Sequence, residues 1–153
     1  MKPKLLVSAC LLGTPCRYDG KSKKNEAVCA LAERFELIPV CPEVLGGLPT
    51  PRTPSERRGA CVVRKDGRDV TAEYRRGAEC ALETAQREGV LAAVLKERSP
   101  SCGSGEIYDG TFTGALTAGD GVTAELLKAN GMTVYGEGEQ SLTEFLCSVS
   151  HST

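Results

Sequence analysis

Residues 4–41 read KLLVSACLLGTPCRYDGKSKKNEAVCALAERFELIPVC and contain a strand, a helix and a second strand in succession. Residues 5–8 are a short apolar run, which is typical of a buried strand. Residues 25–35 carry apolar side chains at helical spacing, with Asn25 available as the N-cap. Residues 36–40 are a second apolar run. This order predicts a βαβ unit, and therefore two parallel strands.

The same alternation of strands and helices continues to the C-terminus. Residues 90–95 and 132–135 are further apolar runs, and both predict buried strands. Helical spacing predicts three more helices, over residues 71–88, 123–129 and 141–147. The strand runs lack polar alternation, as strands buried on both faces do. The sequence therefore predicts an α/β fold with a mostly parallel, Rossmann-like sheet flanked by helices.

Three stretches are predicted to lie outside this sheet. Residues 46–59 are dense in Gly, Pro and Arg, which predicts a long loop without regular structure. Residues 60–71 are predicted to form a β-hairpin that turns at Asp66 and Gly67. Residues 107–116 are predicted to form a second hairpin or an irregular excursion. The expected architecture is thus one sheet with one or two β-hairpins added to it.

Length and charge restrict the class of protein. The 153 residues include 19 Lys and Arg against 20 Asp and Glu, so the net charge is -1. This balance excludes a polybasic nucleic-acid binder that acts by bulk charge. The length suits one domain over residues 1–153, with a disordered tail over about residues 148–153. The only histidine, His151, lies in that tail and is expected to have no role in a site.

The chain contains eight cysteines. Whether they form disulfides or stay as thiols depends on the cellular compartment of the protein. The apolar run at residues 5–7 is too short for a secretory signal, which needs roughly 7 to 15 apolar residues. No stretch reaches the roughly 18 apolar residues of a membrane span. The sequence therefore predicts a cytoplasmic protein without membrane association, whose thiols are reduced.

Three cysteines, Cys10, Cys41 and Cys102, each follow a predicted buried strand. Parallel strands end at one edge of the sheet, about 4.8 Å from their neighbours, so these thiols are expected to come together. Cys16 lies in the loop after the first strand and is either a ligand or a neighbour of the ligands. The other four are predicted to be packing residues, namely Cys29, Cys61, Cys80 and Cys147.

Spacing alone leaves three interpretations of the three thiols open: an iron-sulfur site, a zinc site, or simple packing. The C-x₂-C spacing of common zinc and thioredoxin-like redox sites does not occur in the chain. A cuboidal iron-sulfur cluster held by three cysteines leaves one iron without a protein thiolate. Such an iron can bind substrate as a Lewis acid.

Polar residues near these cysteines are candidates for chemistry. Glu43 and Ser101 adjoin two of the cysteines, where a carboxylate can shuttle protons and a hydroxyl can donate a hydrogen bond. An ordinary turn glutamate and a loop serine are the alternatives. Arg52, Arg57 and Arg58 in the proline-rich stretch are candidates to hold an anionic or carbonyl-rich ligand, or are solvated loop residues.

Motifs spread over nearly the whole chain resemble those of the DUF523 family. They lie at residues 7–13 (VSACLLG), 16–20 (CRYDG), 39–43 (PVCPE), 46–52 (GGLPTPR), 99–103 (SPSCG), 107–112 (IYDGTF) and 119–123 (GDGVT). The resemblance runs from about residue 4 to about residue 135. It is to the short, single-domain form of the family.

The resemblance implies a four-iron, four-sulfur (4Fe-4S) cluster held by Cys10, Cys41 and Cys102, with one iron open to the sulfur of a thiolated nucleobase. It also implies that Glu43 and Ser101 are the nearby catalytic residues. On this basis we expect a thiouracil-desulfidase-like enzyme that converts C=S to C=O without net electron transfer and releases sulfide. Glu43 would activate water, and Ser101 would orient the substrate or relay a proton.

Two alternatives of other classes accompany this expectation: a non-catalytic iron-sulfur carrier or sensor, and a structural zinc-binding domain. The expected partners are a small thiolated nucleobase and the iron-sulfur assembly machinery. The sequence does not separate a free base from a nucleoside or tRNA. Near-zero net charge disfavours binding of a large RNA only weakly, because a local basic patch escapes the count.

Overall fold

The computed structural model describes residues 2–150. Its strands, numbered along the chain, are β1 (Lys4–Ser8), β2 (Glu36–Val40), β3 (Ser55–Arg58), β4 (Cys61–Arg64), β5 (Ala92–Leu95), β6 (Glu106–Tyr108), β7 (Leu116–Ala118) and β8 (Val134–Gly136). Its helices are α1 (Glu26–Ala30), α2 (Pro42–Leu45), α3 (Thr71–Glu88), α4 (Val122–Ala129) and α5 (Glu139–Ser150).

Four strands form a parallel sheet in the order β2-β1-β5-β8. The remaining strands form two antiparallel hairpins, β3-β4 and β6-β7. The predicted α/β fold is therefore confirmed. The chain runs from β1 to β2 on one side and later returns to β5 on the other, which places a topological switch point at the carboxyl ends of β1 and β5.

Both faces of the sheet are covered, which explains why the strand runs are apolar throughout. Leu5 and Val7 of β1 belong to a core cluster that also contains Phe145 of α5. Leu6, on the opposite face of the same strand, belongs to a second cluster with Leu127 of α4. Every residue of β1 from position 5 onward is thus buried, and the strand fixes the centre of the molecule.

Local sequence signals set several helix ends as predicted. The Asn25 side chain accepts a hydrogen bond from the Val28 amide at 3.0 Å and caps α1. Helix α3 ends at Gly89, whose φ of 65° is the left-handed conformation of a C-cap. The predicted first helix is shorter than expected, because α1 stops at Ala30 and continues only as a 3₁₀ turn over Leu31–Glu33.

The first hairpin exists, but its predicted boundaries and turn are wrong. The hairpin pairs Ser55–Arg58 with Cys61–Arg64, so four residues predicted to be loop are a strand. Gly59, with φ of 59°, supplies the left-handed residue of the connection. A turn does occur at Asp66 and Gly67, but it closes only an isolated bridge. The strand over residues 55–58 was missed because it is polar and charged rather than apolar.

The C-terminal prediction is also corrected. Helix α5 extends through Ser150, so residues 148–150 are helical and do not form a disordered tail. His151 lies outside the described residues. Within residues 2–150, the structure contains no helix long and apolar enough to cross a membrane.

Candidate functional site

A cavity of about 620 Å³ opens at the carboxyl ends of β1, β2 and β5. Four cysteines line it, namely Cys10, Cys16, Cys41 and Cys102. Glu43 and Arg52 line the same cavity, and residues of both hairpins complete its wall. The structure therefore brings together the three strand-end cysteines, Cys16 and the neighbouring carboxylate.

Three different local structures present the strand-end thiols. Cys10 lies in a 3₁₀ turn (Ala9–Leu12) that directly follows β1. Cys41 is the residue before α2 and keeps an extended backbone, while the proline after it begins the helix. Cys102 lies in a turn after β5, in which the Ser99 hydroxyl accepts hydrogen bonds from the amides of Ser101 and Cys102, both at 3.1 Å.

Burial and mutual contact favour the neutral form of these thiols. Burial raises the pKa of Cys102 to about 12. The Cys16 thiol beside Cys41, together with burial, raises the pKa of Cys41 well above its usual range. Contact with Cys10 raises the pKa of Cys16. A metal bound at these thiols would therefore displace protons, as thiolate ligation requires.

The thiol donors in the cavity suit a thiolate-ligated cluster. All eight cysteines are free thiols. Among residues 2–150, no three His, Cys, Asp or Glu side chains are placed to hold one metal ion. Four of the cysteines line one cavity, and an iron-sulfur cluster takes its thiolates on separate irons. Soft thiolate donors also suit iron-sulfur clusters.

Glu43 is held by two donors from different parts of the chain. Its Oε1 accepts a hydrogen bond from the Tyr74 hydroxyl at 2.5 Å, and the Arg52 Nε lies 3.4 Å from the same oxygen. Tyr74 lies in the first turn of α3 and is 1% exposed. Burial and the neighbouring carboxylate raise the pKa of Tyr74 well above its usual range, so its hydroxyl remains a donor.

Arg52 ties the proline-rich loop to the cysteine loop. Its Nη2 donates to the Cys16 carbonyl at 2.9 Å, and its Nη1 donates to the Pro49 carbonyl at 3.1 Å. The guanidinium is nearly buried, with 6% of the side chain exposed. Arg57 and Arg58 lie elsewhere, donating to the carbonyls of Asp120 and Gly110 at 2.7 Å. Of the three candidate arginines, Arg52 lines the cavity.

Ser101 is fully buried and lies behind Cys102 rather than on the cavity wall. Its hydroxyl shares a 2.7 Å hydrogen bond with the Thr123 hydroxyl at the start of α4. The nearby Ser8 and Ser101 hydroxyls lower the pKa of Cys102 against the larger effect of burial, and so favour the thiolate.

Two aspects of the site differ from the sequence-based predictions. Tyr74 was missed, because its spacing within α3 makes it look like an ordinary core residue. The four cysteines predicted to be buried packing residues are not buried: Cys61 and Cys147 are exposed, and Cys29 and Cys80 are half-buried. Cys61 is exposed at the first position of β4, and Cys147 is exposed on α5, which sequence periodicity alone did not resolve.

The fold and the cavity together define an α/β protein whose ligand-binding edge presents thiols and a carboxylate, the donor set of an enzyme with a thiolate-ligated cofactor. The family profile described as 2-thiouracil desulfurase matches residues 5–139, and the chain belongs to that family. The resemblance inferred from the sequence motifs is thereby confirmed.

Two relatives match nearly the whole chain. The uncharacterized protein YbbK of Bacillus subtilis (strain 168) is 44% identical, over 88% of this chain and 96% of its own length. The solved structure of the [4Fe-4S]-dependent thiouracil desulfidase TudS (DUF523Vcz) is similar with a TM-score of 0.90 and 50% identity. That comparison covers 97% of this chain and 99% of the other.

Proposed function

We propose that this protein is a [4Fe-4S]-dependent desulfidase that hydrolyses the C=S bond of a thiouracil-like base. In the balanced reaction, C=S and water give C=O and hydrogen sulfide, and no external electron donor is required. The observation that carries the proposal is the meeting of three strand-end cysteines and Glu43 in one cavity. Membership of the 2-thiouracil desulfurase family supports the substrate class.

Cys10, Cys41 and Cys102 are the proposed ligands of the cluster. When bound, the cluster supplies an iron without a protein thiolate, which acts as a Lewis acid toward the thiocarbonyl sulfur. The similarity to a solved [4Fe-4S]-dependent enzyme supports this cofactor. Cys16 is assigned to the cavity wall, where its carbonyl accepts from Arg52 and receives the Cys41 thiol at 3.7 Å.

Glu43 is the proposed base that activates the attacking water. Both contacts from Tyr74 and Arg52 converge on Oε1, so we assign Oε2 to the water. The water proton moves to the carboxylate as the oxygen attacks the thiocarbonyl carbon, and Glu43 then returns the proton to the departing sulfur. The hydroxyl proton of the adduct is lost as C=O forms and becomes the second proton on sulfur, so that water supplies the oxygen of the product and both protons of hydrogen sulfide.

Ser101 is the second proposed catalytic residue, and its position suggests how it acts. The hydroxyl is anchored by Thr123 and lowers the pKa of Cys102. A hydroxyl in this position can stabilise the Cys102 thiolate from behind the cavity wall. The proposed partners are a small thiolated nucleobase as substrate and the iron-sulfur assembly machinery as the source of the cluster.

Replacement of the proposed base tests this function. Glu43→Gln keeps the size of the side chain but removes the basic oxygen, so we expect the desulfuration rate of 2-thiouracil to fall by about 100-fold or more. The iron content should be unchanged. Glu79→Gln, on the exposed side of α3, is the matched control and should retain the full rate. If Glu43→Gln with an intact cluster turns over at the control rate, the assigned base is wrong.

A further inference from the structure

Phe112 lies between the two strands of the β6-β7 hairpin and lines the cavity together with Tyr108. Its φ is 59°, in the left-handed region that residues other than glycine rarely adopt. Such a conformation costs free energy and persists where the surroundings enforce it, which is common at ligand-binding positions. The side chain is half-buried, so its ring is neither fully packed in a core nor free in solvent.

The hairpin β3-β4 enforces this conformation. Glu56 Oε1 accepts hydrogen bonds from the amides of Gly110 and Phe112, at 2.9 Å and 3.1 Å. Arg58 Nε donates to the Gly110 carbonyl at 2.7 Å. Gly110 itself has φ of 94°, and a Cβ at this position would lie 2.4 Å from Arg58 Cγ. The loop is therefore fitted to the hairpin on which it rests.

Arg58 also supports the ring itself. Its guanidinium carbon lies 5.9 Å from the centroid of the Phe112 ring, over the ring face. Arg58 does not line the cavity, whereas Phe112 does. A cation thus lies over one face of a ring whose residue lines the cavity. This arrangement holds an aromatic side chain at a fixed position on the cavity wall.

We propose that Phe112 is the specificity-determining residue that stacks on the flat ring of the substrate. Stacking is favoured between two planar π-systems and is lost when the partner ring is saturated and puckered. The substrate class is therefore a planar heteroaromatic thione, as opposed to thioureas and saturated cyclic thioamides. This inference rests on the proposed function for the reacting C=S group, but the recognition of a flat ring is testable without turnover.

A matched pair of substrates tests the proposal in the cluster-loaded enzyme. 2-Thiouracil and 5,6-dihydro-2-thiouracil carry the same polar groups and differ in the planarity of the ring. Phe112→Leu should raise KM for 2-thiouracil roughly tenfold or more, with little change in kcat, and should leave KM for the dihydro compound unchanged. Phe112→Tyr should retain the wild-type values. Leu116→Ala, at an exposed position of the same hairpin, is the control.

A binding measurement separates this proposal from the proposed function. The chain contains no tryptophan, so Phe112→Trp introduces a single fluorescent reporter at the stacking position. Uracil should change its fluorescence at concentrations at which dihydrouracil has no effect. If the wild-type enzyme does not desulfurate 2-thiouracil but uracil binding is detected, the reaction assignment fails and the stacking assignment stands. Equal responses to both ligands, or an unchanged KM in Phe112→Leu, would overturn the stacking assignment.

Discussion

Tyr74 shows how a residue outside the cysteine motifs can control the chemistry of the cavity. Its hydroxyl is buried, remains protonated and donates to the carboxylate oxygen that also faces Arg52. A carboxylate held by two donors loses rotational freedom, so its second oxygen points in a defined direction. In the proposed mechanism Tyr74 is therefore a positioning residue, and Glu43 is the group assigned to the reacting water.

Tyr74→Phe is expected to lower kcat about tenfold while KM and iron content stay the same, because one hydrogen bond to a charged group is lost. In the Glu43→Gln background the same substitution should have little further effect, because its role is exerted through that carboxylate. Steady-state kinetics on the wild type and the three variants measures this coupling. Additive losses in the double variant would show that Tyr74 acts independently of Glu43.

The iron content of serine variants distinguishes the cluster ligands from the other cysteines. Serine substitution of Cys10, Cys41 or Cys102 should reduce the iron bound after anaerobic reconstitution to a small fraction of the wild-type value, because each removes one thiolate. Cys61→Ser and Cys147→Ser are the controls, since both residues are exposed and distant from the cavity lining. Cys16→Ser should retain the cluster. If Cys16→Ser loses its iron while one of the three other variants keeps it, Cys16 is a ligand and the cysteine of that other variant is not.

The short helix α2 owes its position to a close backbone contact with α3. A Cβ on Gly77 would lie 1.8 Å from the Pro42 carbonyl oxygen, and a Cβ on Gly46 would lie 2.0 Å from the Glu73 carbonyl oxygen. The two helices can approach this closely only because both positions are glycine. This contact places Glu43 of α2 within reach of Tyr74 of α3.

Gly77→Ala sets the gain in helix propensity against the loss of close packing between α2 and α3. Alanine in a helix interior is favoured over glycine by about 1 kcal/mol, but the clash with the Pro42 carbonyl should outweigh this gain. We expect a net loss of about 1 kcal/mol or more in the free energy of unfolding, and a lower kcat per bound cluster. Denaturant unfolding and kinetics measure the two effects. Glu79→Ala, at an exposed position of the same helix, should change stability by no more than about 0.5 kcal/mol.

The elements that could be predicted from the sequence are those defined by local pattern. Apolar runs predicted β1, β2 and β5, and the glycine after residue 88 marked the end of α3. Strand β3 could not be predicted in this way, because its residues are polar and it exists only through pairing with β4. Helix α2 is four residues long, too short for a periodic signal, and its contact with α3 depends on distant glycines.

The whole molecule brings distant segments together at one edge of one sheet. Because β2, β1 and β5 are neighbours, residues from positions 10, 41 and 102 meet without any local sequence motif that joins them. The common sheet edge was predictable, since parallel strands end on the same side, whereas the strand order that makes β2, β1 and β5 neighbours was not. The contributions of Tyr74 and Phe112 were not, because they depend on how α3 and the hairpins pack around the cavity.

The net charge of -1 fits a protein whose specificity lies in one cavity rather than in a charged surface. The cavity combines thiols on its sheet side, a held carboxylate at α2 and an aromatic wall on a hairpin. These three features correspond to the three proposed requirements of the reaction: a cluster, a base and a flat substrate.

Anaerobic turnover of 2-thiouracil without an electron donor tests the central claim most directly. The reconstituted protein should contain about four irons per chain and release uracil and sulfide in equal amounts over many turnovers. Protein without iron should be inactive. A colourless protein with stoichiometric zinc, an iron-loaded protein that releases no sulfide, or turnover that requires a reductant would each contradict the account.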